Sequence, residues 1–199
     1  MLLVLLVMTL AAGLALLTGG AFTRLADNAL TGLQWLGAAA SCQLAGPFVS
    51  GVIYPICMVA SAACMGVFLL LNLLRPGVAL LALGFGSNAL VVALNGAMPV
   101  SLSTLVRAGL DASRAQVAAD PRHEVLGAHT LLPWLGDVVP VAMPPLGQAV
   151  SPGDVLIAAG AALLLYAGMG ADGHLSIPQG AAPSWKELEA KSATDHPTQ

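Results

Sequence analysis

The chain has 199 residues, of which 57% are hydrophobic and 9% charged, with a mean hydropathy of +0.85. Soluble domains carry roughly 25% charged residues, so an ordinary water-soluble domain is a poor match. The net charge of -3 supplies no basic footprint for nucleic acid.

The charged residues are also segregated: Arg75 is the one charge between Ala29 and Val100. A bilayer demands this, because a charge near its centre costs a few kcal/mol or more by rough estimate. The composition predicts an all-α fold, an integral membrane helix bundle of about five transmembrane helices. A membrane domain over 1–169 carries spans near 1–18, 30–48, 52–74, 78–98 and 152–169. A polar, mobile tail follows over 170–199.

The first span, MLLVLLVMTLAAGLALL, has no Lys or Arg before Arg24, which favours a span over a cleaved signal. The second is diluted by Gln34, Ser41 and Gln43, and Trp35 suits an interfacial anchor. The third contains Ala62 and Gly66, and the fourth Ala82 and Gly86; each small pair predicts a close helix contact. Cys42, Cys57 and Cys64 lie in apolar stretches without C-x-x-C spacing and read as packing residues.

The fourth span, GVALLALGFGSNALVVALNGAM, holds Asn88 and Asn95, seven residues apart and so on nearly the same helical face. An amide in hydrocarbon without a partner costs several kcal/mol by rough estimate, so this polar membrane face must meet protein or a wet cavity. Between spans four and five, residues 101–151 form an interfacial or re-entrant loop. Leu102, Leu105, Val106 and Leu110 lie at helical spacing opposite Ser103, Arg107 and Asp111, which predicts an amphipathic surface helix. Leu131 to Val141 is apolar but too short to span, and Pro133, Gly136 and Pro140 break it. The last span opens on Ser151-Pro152-Gly153-Asp154, with Ser at the N-cap, Pro at the first helical position and Asp at the third. A slight excess of Arg24, Arg75, Lys186 and Lys191 over Arg107, Arg114 and Arg122 places the first set on the cytoplasmic side.

No nucleotide or hydrolase fingerprint is present, and no cofactor or metal is expected. His123-Glu124 followed by His129 lacks zinc-protease spacing, because Gly127 stands where the second His belongs. Asp137 and Asp154 are the candidate catalytic pair. Two carboxylates brought together in low dielectric share one proton, so that one acts as base and the other as acid. Structural roles also fit: Asp154 as part of a helix cap, Asp137 in a turn, and the asparagines as inter-helix hydrogen-bonding groups.

The stretches Asn88 to Val100, Leu135 to Pro140 and Ser151 to Gly160 resemble a family of small bacterial multi-pass membrane proteins, catalogued as a domain of unknown function. Its signature is an N-G-x-M-P-V stretch, a G-D-x-x-P turn and an S-x-G-D helix start, and the likeness runs from about Val52 to Met169. It implies a membrane protein without an assigned activity. A fainter likeness is to lipoprotein signal peptidase, a membrane aspartyl protease. Asp137 and Asp154, seventeen residues apart, reproduce the order and spacing of its acids, while Ser151 and Gly153 depart from its N-x-A-D and no G-N-x-x-D-R is present.

These readings converge on a multi-pass protein of the cell membrane whose partners are the lipid bilayer and a membrane protein or small solute. A non-enzymatic bundle binding a partner, lipid or solute through the Asn88 and Asn95 face is the leading expectation. An intramembrane aspartyl hydrolase using Asp137 and Asp154, or a small transporter, is the alternative.

Overall fold

The computed structural model describes residues 2–27, 30–45, 53–110, 113, 117, 120, 122–144 and 147–170. The expected tail lies outside them, apart from its first residue. Helices dominate: α1 (Leu2–Leu17), α2 (Arg24–Asp27), α3 (Leu33–Ala45), α4 (Ile53–Leu71) and α5 (Val78–Asn95) precede a cap, and α7 (Pro152–Gly168) follows it. Among the described residues one helix, Val78–Asn95, is long and apolar enough to cross a membrane by length and composition; Leu2–Leu17, Val59–Leu71 and Pro152–Gly168 are shorter apolar helices.

The fold is not purely α. The cap contains β1 (Met98–Val100), the short helix α6 (Leu102–Arg107), β2 (His123–Val125), a 3₁₀ turn at Pro133–Leu135, β3 (Val139–Val141) and β4 (Gln148–Val150). Prolines at 99, 133 and 140 remove backbone donors and end helical runs, so the chain pairs in three-residue strands instead. β1 pairs with β2 in parallel, Met98 opposite His123, and β3 pairs with β4 antiparallel, Val139 opposite Val150. The expected amphipathic helix is only six residues long. It stops at Gly109, whose φ of 80° suits glycine. Thr104 within it and Ala108 at its C-cap are buried, whereas Val106 is 64% exposed.

α7 packs mainly on α1 and α5, while α3 and α4 pair as a separate hairpin. α1 and α7 end together: Thr18 Oγ1 lies 3.3 Å from the Tyr166 hydroxyl, and Ala21 N–H donates to Met169 O at 3.0 Å. α5 runs antiparallel to α7 through a glycine seam. Gly77 lies against Gly160, and Gly84 against Gly153 and Ile157, so close that a Cβ on any of these glycines would overlap the opposing helix. The expected small pairs do not make this contact, since a Cβ on Gly66 or Gly86 meets nothing within 4 Å. The hairpin joins the rest at a small core of Phe68, Leu69, Val78 and Leu81, with Leu30, Leu36, Ile157 and Leu164 packed around it.

The seam also sets a step. Because Gly84 is level with Gly153, the last turns of α5 rise beyond the first residue of α7. The cap is built on that step.

Candidate functional site

The step brings three distant stretches together. β3 leaves Asp137 and β4 enters Ser151, so the antiparallel ladder returns the second acid to the neighbourhood of the first. Asp137 is itself joined to β1, its N–H donating to Pro99 O at 2.8 Å and its carbonyl accepting from Ser101 N–H at 3.2 Å. Gly136 permits this approach, since a Cβ there would collide with Pro99 O.

Asp154 is consumed by structure. Ser151 Oγ accepts from Asp154 N–H at 2.9 Å, and Ser151 N–H donates to Asp154 Oδ2 at 3.1 Å, which closes a capping box. Asn88 completes the ring from α5: its Nδ2 donates to Asp154 Oδ1 at 2.9 Å, and its Oδ1 accepts from Ser151 Oγ at 2.9 Å. Gly153 leaves room for the Asn88 side chain. Both carboxylate oxygens of Asp154 are thus engaged at a helix N-terminus that favours negative charge.

Asn95, one heptad on, serves the cap instead. Its Oδ1 accepts from Leu131 N–H at 2.8 Å, and its Nδ2 donates to Leu131 O at 3.0 Å and Val91 O at 2.9 Å. This bidentate grip staples the 127–132 loop to the last turn of α5. Leu132 beyond it has a φ of 51°, a left-handed conformation unusual for a leucine.

Asp137 differs from both. It is 7% exposed, and its carboxyl makes no hydrogen bond among the described residues. The side chain facing it is His123, whose Nε2 lies 3.9 Å from Asp137 Oδ2. Burial, with the Asp154 charge second, pushes the Asp137 pKa up to about 7. On the far side of the imidazole, His123 Nδ1 lies 3.0 Å from Asp120 Oδ2. Arg122, bonded to Asp120 through Nε and Nη2, holds that carboxylate well below the usual range. An anionic Asp120 favours the tautomer with the proton on Nδ1, which leaves Nε2 as an acceptor facing Asp137. The imidazole of His123 thus stands between the Asp120 and Asp137 carboxyls.

Asp137, Asp154 and Asn88 therefore lie around one junction with His123, while Asn95 stands one heptad further along α5 on Leu131. In the sequence alone, His123 has no role beyond excluding a zinc-protease motif. The available signal was Asp120 three residues before it; the parallel pairing of β2 with β1 was not visible. Among the described residues, no group of three His, Cys, Asp or Glu side chains is placed to hold a metal ion.

Residues 34–166, from within the second expected span to within α7, match a known family, DUF5317, a family of unknown function. The chain belongs to that family. No curated protein and no solved structure matches it.

Proposed function

We propose that this family member is a multi-pass cell-membrane protein whose five apolar helical segments, near 1–18, 30–48, 52–74, 78–98 and 152–169, cross the bilayer. The proposed role is non-enzymatic: the step between α5 and α7, closed by the cap, binds a partner, a lipid or a small solute. One observation carries the reading. Asp137 is a buried carboxyl without a hydrogen-bond partner among the described residues, while Asp154, Asn88 and Asn95 are occupied in building its surroundings. A buried group of shifted pKa beside an oriented imidazole marks a functional site. The asparagines then shape the site rather than contact its ligand.

Arg24 donates to Gly170 O at 2.8 Å, which sets it at the end of α7 away from the cap, in keeping with a polar division between two membrane faces. Cysteines introduced at Gly19 and Pro76 should react with an impermeant maleimide from one face, and one at Ala97 from the other. Labelling of all three from one face would overturn the five-span reading. For the site itself, native mass spectrometry from mild detergent should show a retained non-protein mass that Asp137→Asn and His123→Ala each diminish. A wild-type protein carrying nothing but detergent would overturn it.

The influence of the Asp154 charge on Asp137 favours a second reading, the aspartyl hydrolase. That chemistry requires Asp154 to leave its ring with Asn88 and Ser151, which is why binding is placed first. Turnover of a membrane peptide abolished by Asp137→Asn and by Asp154→Asn alike would reverse the order. Proton-driven uptake in liposomes lost on Asp137→Asn would favour a transporter.

A further inference from the structure

A second feature lies on the other face of β2. Successive strand residues point to opposite faces, so Glu124 turns away from the Asp137 side, where His123 points. It lines an open cleft of about 420 Å³ at the end of α5, shared with Leu94, Asn95, Val125, Ala128, His129, Thr130 and Leu131 among others. The cleft is two-sided in character. Leu94 and Leu131 form an apolar edge, 45% and 51% exposed, and Trp134 nearby in sequence is 64% exposed. Glu124, His129 and Thr130 form the polar edge. Its wall is a tight turn in which Thr130 N–H donates to Gly127 O at 3.2 Å and Gly127 N–H to Thr130 Oγ1 at 2.9 Å. The N–H groups of Ala128 and His129, both exposed residues lining the cleft, donate to none of the described residues.

Position supplies the occupant. An 18-residue helix spans about 27 Å, close to the roughly 30 Å hydrocarbon thickness of a bilayer. Apolar residues on the outward side of α5 continue through Leu90 and Leu94 to its last turn, all exposed. The acyl region then reaches the Leu94–Leu131 edge, and the polar edge falls at head-group level, where a tryptophan is also at home. Glu124 suits an ammonium group, and the 128–129 turn with His129 suits a phosphate.

We propose that this cleft binds the head group of a zwitterionic phospholipid, its ammonium on Glu124 and its phosphate on the Ala128–His129 turn. This rests on the membrane reading above, not on the Asp137 site. The full chain in maltoside, titrated with dihexanoyl phosphatidylethanolamine, should show a rise of several degrees in unfolding temperature. Dihexanoyl phosphatidylglycerol, which lacks the ammonium, should bind at least tenfold more weakly. Glu124→Gln and His129→Gln should each weaken the phosphatidylethanolamine effect at least tenfold while leaving the lipid-free unfolding temperature unchanged. Equal effects of the two lipids, or an unaltered response in both variants, would overturn the assignment. A chain that stays in solution without detergent would instead remove the membrane reading and this inference together.

Discussion

The α5–α7 seam and the α3–α4 hairpin hold helices together in different ways. In the seam, glycines spaced by seven, Gly77 and Gly84 against Gly153 and Gly160, bring backbones into contact, and Asn88 locks the end with a closed polar ring. In the hairpin the apolar side chains are joined by isolated polar clips. Ser61 Oγ donates to Ala39 O at 2.9 Å, and the Asn72 amide pairs with the backbone of Thr31 just before the hairpin. Backbone contact leaves no space to yield, whereas a clip between side chain and carbonyl can be lost singly. The seam is accordingly the rigid platform for the cap, and the hairpin is the more tolerant half.

The sharpest way to break this contrast is to add side chains to the seam. Gly160→Val should cost about 3 kcal/mol, because the nearest opposing atoms are the Gly77 and Leu81 backbone, and Gly153→Val should cost as much by displacing the Asn88 side chain and meeting Gly84 O. Gly66→Ala and Gly86→Ala, facing open space, should be neutral or stabilising by up to about 1 kcal/mol in chemical denaturation. Intolerance at Gly66 equal to that at Gly160 would erase the distinction.

Next in size is the pH response of the cap. The folded chain keeps the Asp137 proton up to about pH 7, whereas the unfolded chain releases it near 3.8. The stabilising contribution is therefore complete below about pH 4 and is lost as pH rises through 7, at about a kcal/mol for each pH unit. Asp137→Asn should flatten this slope and raise stability above pH 7 by a few kcal/mol, read by denaturation across pH.

Removing Asn88 by Asn88→Leu should cost about 2 kcal/mol, since Ser151 and Asp154 each lose a partner in a buried ring. Asn95→Ala should act locally, speeding amide exchange at Leu131 with about 1 kcal/mol of global effect. Ser61→Ala in the hairpin should cost about 1 kcal/mol or less. Matching losses for Asn88→Leu and Ser61→Ala would show that the ring is worth no more than a clip.

What the sequence disclosed follows the same division. The Ser151–Asp154 cap was legible because its chemistry is local, each partner within three residues of the other. The shared face of Asn88 and Asn95 was legible from helical period, but not what that face meets, since Ser151 and Leu131 arrive from far along the chain. The seam is not legible from four-residue small pairs in α4 and α5, because the contacting glycines recur every seven residues. The strands escaped because three-residue elements leave no period to detect, and with them went the placement of His123 beside Asp137.

The packing of α1 chiefly on α7 carries a consequence for biosynthesis. Of the described helices, α1 is made well before its principal neighbour α7, and everything between Leu17 and Pro152 must be made before the two meet. At roughly 5–20 residues per second that interval is about seven to twenty-seven seconds. A chain truncated upstream of Pro152 would lack the helix on which α1 chiefly packs.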